Sequence, residues 1–579
     1  MDVPGYLQAL SLAEARTDAG QWAQAVTLWQ RVTGQNPVNG NHWDRLAQAQ
    51  YESGDYAAAL AAWERAAELG VWDRRTIREE RPAAFRGELE YRRACCRARL
   101  GDGPGALDEL ERALRAGLRD RDRVRADDCW GELSGHPRFA ALLDIGPDEL
   151  SRDDGWRRDL GVLGREIKRR AYEPFRHISE HDFDGRLGGL ARRVPELSDA
   201  QLATGILALL STLHDGHAGI VGPEDSPALR LSLPLEFWLY PEGVFVTAAG
   251  PGQERLLGAQ VLAVDGRPVS EVLAGLEPVT SRDNDYQLQS GLARWLRCPP
   301  VLHALGLAAE PGAVTLRLRL LEPGGAADAG GEPGAGREPG AGRAPAGAAS
   351  QIRVDAAPGL MAAPRSRPDG WTRLAEALPG PPPACERHRD VSYWFEYRRA
   401  DGLVYVQVNA VTDHPAESLP AFSERLFAFI DGHAVDTLVL DLRWNGGGNT
   451  FLIQPLLHRL IGCRAVNRPG GLFVIIGRRT FSAAQNTVTA IERDTDAVFV
   501  GEPTGSSPNF TGELIPFELP WSKLQVNVSD LYWQTSWPMD QRPFIPPEIY
   551  APPTFAACMA GRDPAMDAIA AYRDHLPGQ

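Results

Sequence analysis

The chain reads as a multidomain protein, with an all-α repeat region in front and an α/β core carrying a β-rich module behind it. Three observations lead there. A Gly-Gln or Gly-Asp signature recurs at Gly20-Gln21-Trp22, Gly54-Asp55-Tyr56 and Gly101-Asp102, short alternating apolar runs fill residues 230 to 321, and strand-like and helix-like segments alternate from about 390 onward. The length of 579 residues exceeds the roughly 100 to 200 of one domain, so several units are expected.

The first unit, residues 1–145, rests on the spacing of that signature. The first two copies lie 34 residues apart and the third follows after 47, which is the same period plus a 13-residue insertion. A period of 34 means paired helices, and Trp43, Leu46, Ala59, Trp63 and Ala66, with Ala25 and Trp29 in the preceding unit, alternate large and small as nested helices require. This pattern resembles the tetratricopeptide repeat, about two and a half units of it. Such a stack implies a concave face that holds a peptide or protein partner. A plain helical bundle is the alternative.

Residues 150–228 continue as helix, with Leu202, Ile206, Leu209 and Leu213 on one face ahead of the turn His214-Asp215-Gly216-His217. Residues 229–321 read as strands, and LLGAQVLAVDGRPVSEVL resembles the core of a PDZ domain, where a strand ends at Asp-Gly and a short helix follows. Residues 322–388 begin as a Gly/Pro/Ala-rich run that cannot offset its ordering entropy and read as a linker or long loop. In 389–579 the runs VSYWFEYRR, GLVYVQVNAV, VDTLVLDLRW, GGLFVIIGRR and DAVFVGEP are strands, with helical stretches at 416–432, 450–461 and 482–493, the pattern of a parallel α/β layer.

Composition narrows the function. The 61 basic and 76 acidic residues give a net charge of -15, which argues against nucleic acid as the main partner. No apolar run of about 18 residues suggests a membrane span, and the start, MDVPGYLQALSLAEAR, lacks the basic leader and cleavage site of a secretory signal, so a cytoplasmic location is expected. Seven cysteines with no C-x-x-C pair indicate neither a disulfide framework nor a zinc site. No metal or organic cofactor is expected. Only two lysines occur, Lys168 and Lys523.

The densest constellation of reactive residues lies in the last region. VDTLVLDLRWNGGGNT places Gly446, Gly447 and Gly448 between a buried strand and a helix, where backbone amides are free to face an anion. A phosphate loop is the bland alternative, although no Lys follows the glycines. Ser482 sits where the next strand turns into a helix, either as a nucleophile or as a simple N-cap. A serine nucleophile needs a base, and the 214–217 turn offers one; metal ligation by its two histidines lacks a visible third ligand.

DLRWNGGG, then TFSAAQ, then VFVGEPTG, together with LHDGHAGI upstream and GRDPAMDAI at the end, resembles the carboxyl-terminal-processing, or tail-specific, serine proteases across roughly residues 150–575. The resemblance implies a ClpP/crotonase-like core with a PDZ-like module and a peptide or protein substrate. It implies Ser482 as nucleophile, with amides at Gly446, Gly447 and Ala483 forming the oxyanion hole. One branch of the family uses a lysine base about 25 residues after the serine; here Ser507 stands near that place, and Lys523 lies 41 residues on. The other branch, which includes the tricorn core, uses a histidine from the upstream turn, and His217 matches it. Its supporting acid corresponds best to Asp540, with Asp215 and Glu513 as alternatives. Trp444, the third glycine and Ala218 in place of a Thr depart from the family pattern and leave a second reading open, a peptide-binding scaffold without activity.

Overall fold

In the computed structural model the described residues are 3–71, 87–116, 118, 120–143, 150–321, 349–359, 368–514 and 516–575. The chain divides into two compact units, one comprising Met1–Arg152 and Lys168–Arg170, the other Asp153–Ile167 and Ala171–Gln579.

The first unit is helical. Helices Val3–Asp18, Trp22–Gln35, Gly40–Glu52, Tyr56–Leu69, Glu88–Arg99 and Gly103–Arg115 each pack on the next. The recurring dipeptide has a physical reason. Gly54 and Gly101 adopt left-handed φ values of 85° and 80° that end one helix, and Asp55 and Asp102 then accept from the amides of Ala58 and Gly105 to cap the next. Ala25 and Trp29, and Ala59 and Trp63 one period later, are all buried at helix contacts. Most of the expected 13-residue insertion lies outside the described residues.

The second unit holds two larger sheets. One is antiparallel, in the order Thr372–Arg373, Gly243–Ala249, Gln260–Val264, Ala313–Arg319, Ala349–Asp355, with Leu235–Tyr240 also paired to Gly243–Ala249. The linker expected over 322–388 is therefore corrected in part. Ala349–Asp355 is a seven-residue edge strand in which Ser350, Ile352 and Val354 alternate inward, a pattern masked in sequence by the low-complexity run before it. Residues 322–348 lie outside the described residues.

The other sheet runs Tyr393–Arg398, Leu403–Val408, Thr437–Asp441, Leu472–Ile476, Val498–Gly501, Ile549–Tyr550, antiparallel in its first pair and parallel in the rest. Its central strands are buried on both faces, as continuous apolar runs require. Val404, Val406, Leu438 and Leu440 pack on Phe422 and Leu426 of the helix Leu419–Asp431, while Tyr405, Val439, Phe473 and Val500 pack on Ala565 and Ile569 of the helix Pro564–Asp574. Helices Leu419–Asp431, Gln454–Gly462 and Ala483–Asp494 connect successive parallel strands. Such a layer presents its loops at the carboxyl ends of the strands, the usual place for a site. Among the described residues no helix is long and apolar enough to cross a membrane.

Candidate active site

Two loops leave the carboxyl ends of adjacent parallel strands, 442–449 after Thr437–Asp441 and 477–482 after Leu472–Ile476. Buried polar side chains lock them together. Asn445 donates from Nδ2 to the Val408 carbonyl at 2.9 Å and accepts from the Gly447 amide at 2.9 Å. Its own carbonyl accepts from the Phe481 amide. Thr480 donates to the Leu442 carbonyl at 2.9 Å and accepts from the Gly477 amide.

This frame presses Gly447 onto the serine. A Cβ on Gly447, whose φ is 107°, would lie 2.7 Å from the Ser482 Cβ and 3.0 Å from the Ala483 nitrogen. Only glycine permits that approach. Ser482 itself has φ 58° and ψ -125°, a strained conformation for a residue with a side chain. It occupies the N-cap position of the helix Ala483–Asp494, yet its side chain makes no capping hydrogen bond. Capping therefore does not account for the hydroxyl.

His217 lies in a turn tied on several sides. Asp215, buried, accepts from the His217 amide at 2.9 Å and from both the amide and hydroxyl of Ser529 at 2.8 Å. Asp283 accepts from the Gly216 amide at 2.6 Å, Gln287 donates to the Gly216 carbonyl, and Asn527 donates to the His217 carbonyl at 2.8 Å. Burial and the neighbouring Asp215 charge push the Asp283 carboxyl up to about 7. The strand Gly219–Val221 pairs with Gln525–Asn527 and so carries the turn to this position.

The His217 ring packs on Phe481, with centroids 4.3 Å apart, and stacks nearly parallel to Phe510, 5.9 Å away with the planes 8° apart. Its side chain is 5% exposed, and its Nδ1 is 3.9 Å from Asp215 Oδ1, too far for a hydrogen bond. Both ring nitrogens are buried, and the polar groups that face the ring are Asp215 and the Thr511 backbone. Burial holds its pKa below 6.5 against the opposing pull of Asp215 and of the Thr511 backbone. Phe481, whose ring packs on His217, is the residue that precedes Ser482 in the chain.

The structure does not bring Asp540 to His217. Its carboxylate accepts from Ser536 Oγ at 2.7 Å and from Arg542 at 2.8 and 3.0 Å, and Arg542 in turn binds Glu492. Those bonds to Arg542 hold the Asp540 carboxyl down at about 2. Asp215 is the carboxylate beside the imidazole. Lys523 pairs with Glu518 at 3.0 Å on the surface. Asn445 and Thr480 lie within the DLRWNGGG and TFSAAQ motifs, whereas Asp283, Asn527 and Ser529 carry no local sequence signal, since they meet the 214–217 turn across 67 to 314 residues.

His217, Gly446 and Phe481 line a cavity of about 790 Å³ that extends along Trp238, Trp444 and several arginines. In the first unit Cys95, Asp127 and Cys129 converge, with the two sulfurs 2.7 Å apart and Tyr91 donating to Asp127. The 34-residue separation of these cysteines hid that grouping from the spacing argument.

Residues 7–81 match the family described as the bacterial transcriptional activator domain. No curated protein matches the sequence. Among solved structures, mature CPAF complexed with lactacystin aligns with 73% of this chain and 98% of its own at 13% identity and a TM-score of 0.51. The photosystem II D1 C-terminal processing protease aligns with 69% of this chain and 93% of its own at 16% identity and a TM-score of 0.32. The tricorn protease aligns with 75% and 38% at 14% identity and a TM-score of 0.36. Over most of its length, this chain therefore shares the fold of mature CPAF.

Proposed function

We propose that the chain is a serine peptidase of the carboxyl-terminal-processing type, in the branch that uses a histidine base. The observation that carries this reading is the strained, uncapped Ser482 held against Gly447 at the carboxyl ends of parallel strands, with the buried His217 ring packed on the residue before it, Phe481. His217 takes the Ser482 proton, Oγ attacks the amide carbonyl of a peptide, and an acyl-enzyme forms as the amine leaves with that proton. Amides of Gly446, Gly447 and Ala483 hold the oxyanion. The Gly447 amide donates to Asn445 in the resting structure, so its part requires an exchange of partner. Water then releases the acyl group by the same base. The hydrogen bond between Ser482 and His217 forms when substrate displaces Phe481, as catalytic hydrogen bonds commonly tighten only in the complex.

In this reading the parallel sheet is a ClpP/crotonase-like core, and the antiparallel sheet is a PDZ-like module that presents a substrate strand. The first unit is a tetratricopeptide-type stack that recruits a protein partner. The 3.9 Å gap between His217 and Asp215 also favours a second reading, an inactive peptide-binding scaffold on a protease fold. Casein hydrolysis by the wild type, lost in Ser482→Ala, supports the peptidase. Equal hydrolysis by both proteins contradicts it.

A further inference from the structure

The cavity beside the site carries an imbalance of charge that the proposed hydrolysis does not use. Six arginines line it, Arg294, Arg297, Arg373, Arg389, Arg478 and Arg479, against two carboxylates, Glu236 and Glu386, in a chain whose net charge is -15. Some of these cations are engaged. Arg478 binds Glu502 through Nε at 2.8 Å and Nη2 at 2.7 Å, Arg389 binds Glu386 at 3.2 Å, and Arg297 faces Glu236 at 3.7 Å.

Arg479 differs. It makes no ion pair and no hydrogen bond with any described residue, and its guanidinium lies beside a pair of indoles in edge contact, 5.3 Å from the Trp238 ring and 5.4 Å from the Trp444 ring. Burial and the neighbouring Arg389 push its pKa down to about 10, the mark of a cation short of an anion. Trp238, 8% exposed, also has a buried indole N–H without an acceptor. Buried donors normally have acceptors, so an unpaired guanidinium in the cavity lining describes a place for a group that only accepts.

We propose that this cavity is a substrate subsite that takes a carboxylate of the peptide, bound by Arg479 beside Trp238 and Trp444. The assignment rests on the peptidase reading of Ser482, since His217, Gly446 and Phe481 line the same cavity. A monoanion matches the one unengaged guanidinium, and Glu236 and Glu386 in the same lining disfavour a dianion such as phosphate. The carboxylate comes from an Asp or Glu side chain near the scissile bond or from the peptide's own C-terminus.

The test uses full-length Ser482→Ala protein, so that no peptide is consumed, and fluorescein-labelled Ala-rich octapeptides carrying one Glu or one Gln, each as the free acid and as the C-terminal amide. Fluorescence polarisation should show at least about tenfold tighter binding of the carboxylate-bearing peptide, the size expected of one charge-assisted contact. The preference should fall to near unity in Ser482→Ala/Arg479→Gln and largely return in Ser482→Ala/Arg479→Lys. Preference for Glu among the amides assigns the side chain; preference for the free acid among the Gln peptides assigns the terminus. Equal binding of all four peptides by the Arg479-bearing protein overturns the proposal without recourse to any Arg479 variant, as does a preference that survives Arg479→Gln. Fluorophosphonate labelling of the protein with Ser482 intact reports separately on the nucleophile: an unreactive serine with the preference retained sinks the peptidase reading, and a reactive serine without the preference sinks the subsite.

Discussion

Two polar regions at the carboxyl ends of the same parallel strands are built on opposite rules. In the cluster around Arg443 every group is engaged: Nη1 and Nη2 bind both oxygens of Asp563 at 2.9 Å, Nε binds Asp441 at 2.9 Å, and Tyr405 donates to Asp441 at 2.6 Å. Around Ser482 and His217 the main chain is fixed just as firmly, by Asn445, Thr480, Asp215, Asp283 and Asn527, yet the hydroxyl caps nothing and the nearest carboxylate stands 3.9 Å from the imidazole. Closed polar groups specify architecture, whereas an uncapped hydroxyl on a fixed backbone is free for chemistry. Substitutions in the first region should act on stability and those in the second on turnover.

The largest effect expected on that division is at His217. His217→Gln should lower peptide turnover by about 10² to 10⁴ while leaving the urea midpoint near wild type. The pH dependence sharpens this. Burial depresses the His217 pKa, so its neutral, proton-accepting form persists at pH 6.5, where an exposed histidine is half protonated. Turnover in wild type should hold at pH 6.5 and fall only as pH drops through the lower folded value; an acid limb centred at or above 6.5 contradicts the buried environment.

Next in size is Arg443→Met, which strands the buried carboxylates Asp441 and Asp563 and should cost about 3 to 5 kcal/mol of unfolding free energy, read by urea titration. A loss below about 1 kcal/mol would show that the closed cluster is not structural. Gly447→Ala forces a Cβ toward Ser482 at a φ of 107° and should cost about 1 to 3 kcal/mol together with most of the turnover.

Asp215 and Asp540 separate the two candidate acids. Asp215→Asn weakens the anchor of the 214–217 turn and the charge beside the imidazole, so turnover should fall roughly tenfold. Asp540→Asn alters a carboxylate bound to Ser536 and Arg542 and should change turnover by less than about threefold. The reverse order would return the supporting role to Asp540.

Much of this was legible in the chain. Continuous apolar runs such as Leu472–Ile476 announce strands buried on both faces, and the Gly-Asp signatures announce helix ends because left-handed glycines and capping carboxylates act within four residues. Ser482, His217 and the glycines were found because each lies at the junction of a strand or helix with a loop. The supporting set was not. Asp215 meets Ser529 across 314 residues and Asn284 meets Pro543 across 259, and no local rule carries information over such separations. Asp540 was matched by the resemblance of its segment to a family region, and such a resemblance is silent about the Arg542 guanidinium two residues on that claims its carboxylate. The edge strand Ala349–Asp355 was lost for a different reason, since partial burial leaves it a weak alternation beside a low-complexity run.

The central claim is that Ser482 is a nucleophile activated by His217. Mass spectrometry of the intact protein after exposure to a fluorophosphonate tests it most directly, in wild type, Ser482→Ala and His217→Ala. The account predicts a single adduct on the wild type, none on Ser482→Ala, and adduct formation slowed at least a hundredfold in His217→Ala. A wild-type serine that stays unmodified from neutral to mildly alkaline pH, or one that reacts equally fast without His217, would contradict it.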